Sequence, residues 1–154
     1  MDQTTKHHGR IAWEDRFSEP TVARLREELP YPAARLFDKF RRRLLELDQI
    51  KETFSWHGPC WRWTIEFHTS HSAEPLALVI PSPPDLQLAI PLDRDFARSL
   101  PVRRMKRAVR DGLELAQDPF DTHWGVWSVQ SAALLDDLLE LIDLKLKASI
   151  QSAP

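Results

Sequence analysis

The sequence predicts an α+β domain: an antiparallel four-strand meander with a fifth strand at its edge and helices packed on one face, in the order α-α-β-β-β-β-α-β-α. Three observations carry that expectation. Apolar residues recur at helical spacing on both sides of a central segment. Inside that segment the apolar period changes from 3.6 to 2. The alternating runs there are short and joined by short turn-forming links, as in a meander of antiparallel strands.

Residues 1–12 are polar and unpatterned and read as a flexible N-terminal tail. Residues 13–150 then form a single domain. Trp13 and Phe17 are the first large apolar residues and are expected to dock on it. Ser18 precedes Glu19, Pro20 and Thr21, a helix start with an N-cap hydroxyl, an early acid and a proline whose missing N–H does no harm. Val22, Leu25 and Leu29 continue it at helical spacing, and Pro30 and Pro32 end it. A second helix over about 33–48 has Ala33, Leu36, Phe37, Phe40, Leu44 and Leu47 as its apolar stripe, with Arg35, Lys39, Arg41, Arg42 and Arg43 mostly off it.

The first strand is expected over 50–56, followed by a turn at His57-Gly58-Pro59. In the second, from Cys60 to His68, Trp61, Trp63, Ile65 and Phe67 alternate with Cys60, Arg62, Thr64, Glu66 and His68. Leu76–Ile80 and Leu86–Ile90 are two further apolar runs, divided by Pro81-Ser82-Pro83-Pro84-Asp85. Prolines suit that link, since they serve a turn and protect sheet edges. Asp93 can cap a short turn through Phe96 and Leu100. Pro101 opens a longer helix to about Gln117, and Asp118-Pro119 ends it. His123–Val129 reads as the fifth strand. Ser131 can cap a last helix, about 132–149, whose leucines and Ile142 make a broad apolar face.

Composition bounds the function classes. The chain has 154 residues, of which 42% are hydrophobic and 29% charged, the mix of an ordinary globular domain. Four glycines leave little room for a Gly-rich phosphate cradle. A formal charge of −2 supplies no global attraction to nucleic acid or anionic lipid. One cysteine, Cys60, cannot form an internal disulfide. The N-terminus lacks the apolar core of a signal peptide, and no apolar run approaches the ~18 residues of a membrane span, so cytoplasmic residence and no membrane partner are expected.

The candidate sites are few. His57 with Cys60 and His68 with His71 have ligand-like spacings, but two ligands each are too few for zinc. Eight extended residues from Cys60 to His68 cover ~26 Å at ~3.3 Å per residue, which keeps the two pairs apart. Neither a metal nor a cofactor is expected. Cys60 beside His57 could form a nucleophile and base, although a lone strand cysteine more often serves as a small hydrophobe. Arg62, Thr64, Glu66 and His68 share the polar side of the second strand. They read either as the solvent face of a one-sided sheet or as a polar pocket with Arg62 as an anion clamp. Of the tryptophans, Trp61 and Trp63 read as core. Trp124 and Trp127 point to opposite faces of their strand, so one of them needs a second layer, a ligand or a partner. The basic residues Arg103, Arg104, Lys106, Arg107 and Arg110 could meet phosphates, but as one helix they would spread over more than one face.

The order of these elements also carries a resemblance. Leu-Leu-Glu-Leu-Asp at the end of the second helix leads into Phe54-Ser55-Trp56, a turn with Gly58, and Trp61-x-Trp63. Two apolar strands, a helix, a Trp strand and a closing Ile142-Asp143-Leu144-Lys145-Leu146-Lys147 follow. Over roughly 33–148 this resembles small bacterial α+β domains of unknown function and, more distantly, the YdhG-like small domains. The resemblance implies the fold and carries over no functional residue.

The expected function is a non-catalytic module that binds a small ligand or a protein partner through Arg62, Thr64, Glu66, His68, Trp124 and Trp127. The enzyme alternative uses Cys60 with His57, or Glu66 with His68. Weak nucleic-acid binding through 103–110 is a second alternative. The broad leucine face of the last helix adds the expectation of a homodimer.

Overall fold

The computed structural model describes residues 13–47, 49–70, 72–114 and 122–152; the expected N-terminal tail, residues 1–12, lies outside them. The first helix, α1 (Val22–Glu27), is capped by Thr21 rather than Ser18: the Thr21 hydroxyl accepts from the Arg24 N–H at 3.2 Å. A turn at Asp15 takes up the chain before it, since the Phe17 N–H reaches Asp15 Oδ1 and the Ser18 N–H reaches the Asp15 carbonyl. That turn buries Trp13 but leaves Phe17 90% exposed, so only the first of the two expected aromatics docks. Helix α2 (Tyr31–Leu45) starts with Pro32 in its first turn and buries Ala33, Ala34, Phe37, Phe40 and Leu44.

The sheet has five strands, all antiparallel to their neighbours, in the order β1-β2-β3-β4-β5. They are β1 (Lys51–Trp56), β2 (Trp63–His68), β3 (Ala77–Ser82), β4 (Asp85–Asp93) and β5 (Thr122–Val129). This is the expected meander with the fifth strand at an edge. Pro81 lies inside β3, opposite Leu86, so the reversal narrows to the cis Pro83-Pro84 pair.

Register then decides what each face carries. Phe54, Ile65, Val79, Leu88 and Trp127 stand side by side across all five strands. Together with Phe67, Leu86, Ile90 and Val129 they form the inner face, packed on Phe37, Phe40 and Leu44 of α2. The same core takes Leu135, Leu138, Leu141 and Ile142 of α6 (Ala132–Ser152), which the Ser131 hydroxyl caps by accepting from the Leu134 N–H. Helix α4 (Arg94–Ser99) is capped by Asp93 and contributes Phe96. The single helix expected from Pro101 is divided. A 3-10 turn (Val102–Arg104) ends where Met105 is extended, and α5 (Arg107–Glu114) begins afresh; residues 115–117 lie outside the described residues. A second, smaller cluster of Leu78, Ile80 and Ala89 lies on the outer face.

Two close approaches hold the helices to the sheet. The Trp127 indole fills the gap between β5 and α5, donating from Nε1 to the Val109 carbonyl at 3.1 Å. A Cβ on Gly112 would fall 2.0 Å from that nitrogen, and one on Gly125 would fall 2.3 Å from the far edge of the ring. Both positions therefore require glycine for space rather than for backbone freedom. On α6, Lys145 Nζ donates to the carbonyls of Pro75 and Leu76 at 3.0 and 3.1 Å, tying the helix to the link before β3. Burial pushes its ammonium down to about 8, against the opposite pull of Glu74 and Asp93.

An alanine in a helix interior normally stabilises it relative to glycine by up to ~1 kcal/mol. Gly112→Ala is expected to do the reverse, losing on the order of 2 kcal/mol because Trp127 must shift. Urea unfolding reads the sign directly, and a gain in stability would mean that the indole moves aside freely.

Candidate functional site

The outer face of the sheet is shaped by the chain reversal between β1 and β2. His57 leaves β1, and Gly58-Pro59-Cys60-Trp61 forms a single helical turn, α3 (Gly58–Trp61). The Arg62 N–H returns to the Gly58 carbonyl and the His57 N–H to the Arg62 carbonyl, each at 2.8 Å. Gly58 and Arg62 both have positive φ, 78° and 60°. For arginine this is an uncommon backbone region, held here by the closed turn and by an ion pair with Glu14.

Strand alternation therefore begins at Trp63, not at Cys60, and the expectation that Trp61 and Trp63 share a face is corrected. Trp63 packs against the main core, and its Nε1 donates to the Asp15 carbonyl at 2.6 Å. Trp61 lies on the other side, against Leu78, Ile80 and Ala89. The physical cause is the left-handed residue between them, which turns the chain over once before the ladder starts.

This turn also brings two histidines to one carboxylate. His57 Nε2 is 2.7 Å from Glu66 Oε1, and His68 Nε2 is 2.8 Å from Glu66 Oε2. The expectation that His57 and His68 belong to separated pairs is thereby corrected. Extended length along β2 does not measure the distance, because the hairpin folds His57 back over the strand. An ionised carboxylate only accepts, so each Nε2 carries the proton shared with Glu66, and in a neutral imidazole that tautomer leaves Nδ1 as an acceptor. The His57 hydrogen bond, seconded by that from His68, holds the Glu66 carboxyl down to about 2, although burial pushes it up.

Aromatic contacts extend the cluster across the face. The His57 and Trp61 rings are 5.8 Å apart, and Trp61 meets Trp124 edge to face at 5.5 Å. Trp124 reaches this face because it pairs with Pro91, while Trp127, three residues on, pairs with Leu88 and faces inward. A continuous chain of contacts thus runs His68–Glu66–His57–Trp61–Trp124. Both tryptophans are half-buried, as are both histidines.

Of the six residues expected to bind, Glu66, His68 and Trp124 belong to this chain. Arg62 does not join them: its guanidinium pairs with Glu14. Thr64 is buried and donates to the Ser55 carbonyl at 3.3 Å. Trp127 is core, with its N–H already used. His57 and Trp61 are the members that a reading of the alternation misses. Their signal was the His-Gly-Pro turn directly after β1, which permits a return over the polar side of β2.

The enzyme candidates are placed as follows. The Cys60 side chain and all of His71 lie outside the described residues. His57 directs Nε2 at Glu66. Among the described residues, no group of three His, Cys, Asp or Glu is placed to hold a metal ion. The basic runs are partly answered by acids: Arg41 forks onto Glu52, Lys39 meets Asp136, and Lys106 meets Asp137. The leucine face of α6 is largely consumed by the chain's own core, leaving Leu144 and Ile150 exposed. No helix among the described residues is long and apolar enough to cross a membrane. Neither a protein-family model nor a curated protein matches the chain.

The Glu66 carboxyl titrates lower in the folded chain than in the unfolded one, so the fold binds fewer protons between its two values. The stabilisation is fully present above the ordinary carboxylate value of 4.5 and is lost as pH falls towards about 2. Glu66→Gln is expected to flatten the pH dependence of stability in that window by roughly 2 kcal/mol, allowing for partial solvent screening. Urea midpoints at a series of pH values measure it, and parallel wild-type and variant curves would refute it.

Proposed function

We propose that the protein is a non-catalytic binding module and that its site is the outer face of the sheet at His57, Trp61, Glu66, His68 and Trp124. One observation carries this reading: a carboxylate kept ionised by two histidines stands beside two half-buried tryptophans, on the face opposite the long helices. Edge-to-face indoles offer rigid apolar surface at little cost in conformational entropy, and the Nδ1 of a neutral imidazole is a directional acceptor. Such a surface fits a flat or apolar small molecule that carries N–H or O–H donors.

The same cluster speaks against the enzyme alternative built on Glu66 and His68. A general acid or base works best with a pKa near the operating pH. A carboxyl held at about 2 remains ionised at neutral pH and takes up protons poorly. Its role in this reading is to fix the orientation and the Nε2–H tautomer of both imidazoles.

A thermal-shift screen over nucleotides, metabolites and metals tests the proposal, because a ligand that prefers the native state raises the midpoint. The expected hits are ring-bearing donors. Their shift is expected to vanish in Trp124→Ala and to fall in Glu66→Gln, with Phe17→Ala as the unaffected exposed control. Hits whose shifts survive Trp124→Ala would place the site elsewhere and overturn the proposal.

A further inference from the structure

The molecule carries a second surface whose chemistry differs from that of the aromatic–histidine face. Between Asp95 and Asp111 the chain holds six cations, Arg98, Arg103, Arg104, Lys106, Arg107 and Arg110, and no acid. The remainder has 15 basic and 23 acidic side chains, so a net charge of −2 hides a +6 segment against −8 elsewhere. The weak total charge is thus the sum of two opposed regions, and it does not describe the local field.

These cations do not lie on the single helix expected for them. The segment is α4, a 3-10 turn and the start of α5, folded by hydrogen bonds between residues two or three apart: Leu100 N–H to Ala97 O, Val102 N–H to Leu100 O, and Arg104 N–H to Pro101 O. Phe96, Leu100 and Val109 point into the core and root the segment. Arg98, Arg103, Arg104, Lys106 and Arg107 are exposed around that root. Among the described residues, Arg98, Arg103, Arg104 and Arg110 form no ion pair. Arg107 meets Asp111 only at 3.8 Å with its side chain 86% exposed, so that contact yields readily to a stronger anion.

We propose that this basic lobe binds the phosphodiester backbone of nucleic acid without reading its sequence. Five of the six cations are arginines, whose planar forks match phosphate oxygens. No large hydrophobic residue is exposed in the lobe; those exposed among the described residues are Phe17, Tyr31, Leu45, Leu144 and Ile150. A protein interface would lack an apolar anchor there, and a membrane would find nothing to insert. Phosphate contact requires neither. The same lack of exposed aromatics removes base stacking, which leaves backbone charge as the recognised feature.

Fluorescence anisotropy of a labelled mixed-sequence 20-base-pair duplex with the full chain tests the proposal. The expected Kd is about 10⁻⁵ M near physiological salt, equal for unrelated sequences. For about four neutralised phosphates, log K should fall against log salt with a slope between about −3 and −4. The triple variant Arg103→Gln, Arg104→Gln, Arg107→Gln should shallow that slope by about 1 per side chain. All three side chains are exposed, so circular dichroism should remain that of the wild type. Lys147→Glu on α6 and Trp124→Ala should bind as wild type does. An unchanged slope in the triple variant overturns the proposal. So does binding to polyglutamate or to phosphatidylglycerol vesicles as tight as binding to the duplex, which would assign the lobe to an acidic protein or a lipid surface.

Discussion

The reversal from His57 to Arg62 is the constraint on which both faces of the sheet depend. It places a residue of positive φ directly before β2, so the chain enters the ladder turned over. Trp63 then joins Phe54, Ile65 and Phe67 against the helices, while Trp61 is delivered to the opposite side. Two tryptophans separated by one residue therefore serve different layers. Without the turn, strict alternation would send both indoles inward, and the outer cluster of Leu78, Ile80 and Ala89 would lose one of the two indoles packed against it.

The inner layer shows what one-sided burial demands of a five-stranded sheet. Its central row, from Phe54 to Trp127, is matched by α2 and α6, whose apolar stripes supply complementary volume. Trp127 is the limiting case, because an indole so near a helix requires that helix to approach without a Cβ. Gly112 and Gly125 together clear the space, and the Val109 carbonyl takes the indole proton. Lys145 performs a related service at the other end of the core, trading the cost of a buried ammonium for two carbonyl contacts that fix α6 to the sheet.

The outer face and the basic lobe are physically different kinds of surface. The first is aromatic and only locally charged, with a carboxylate whose two oxygens are each engaged by an imidazole. Shape and directed acceptors would govern recognition there, with little dependence on salt. The second is a concentration of arginines on a segment whose only acids in sequence are at its borders, with Lys106 paired to Asp137 of α6. Its interactions would be long-ranged and strongly screened. The two lie on separate elements, so a ligand at one does not contend with a ligand at the other for the same side chains.

The sequence by itself determined the element order, the meander, the edge position of β5 and most of the core. These follow from local periodicity and short links, which need no knowledge of distant residues. The Asp93 and Ser131 caps were legible for the same reason, since a cap acts within three residues. Ser18 misled because a competing turn at Asp15 consumed it, and the long helix from Pro101 broke where Met105 became extended. For the candidate site, Glu66, His68 and the opposed facing of Trp124 and Trp127 were legible from period-2 alternation. Only the tertiary structure decided that His57 and Trp61 join Glu66 and Trp124, that Arg62 is held by Glu14, and that Thr64 and Trp127 are buried. For His57, Trp61 and Arg62 the reason is that one backbone residue with positive φ resets which side its neighbours face; for Thr64 and Trp127 it is burial by elements distant in sequence, and neither composition nor periodicity records a dihedral angle or a distant neighbour.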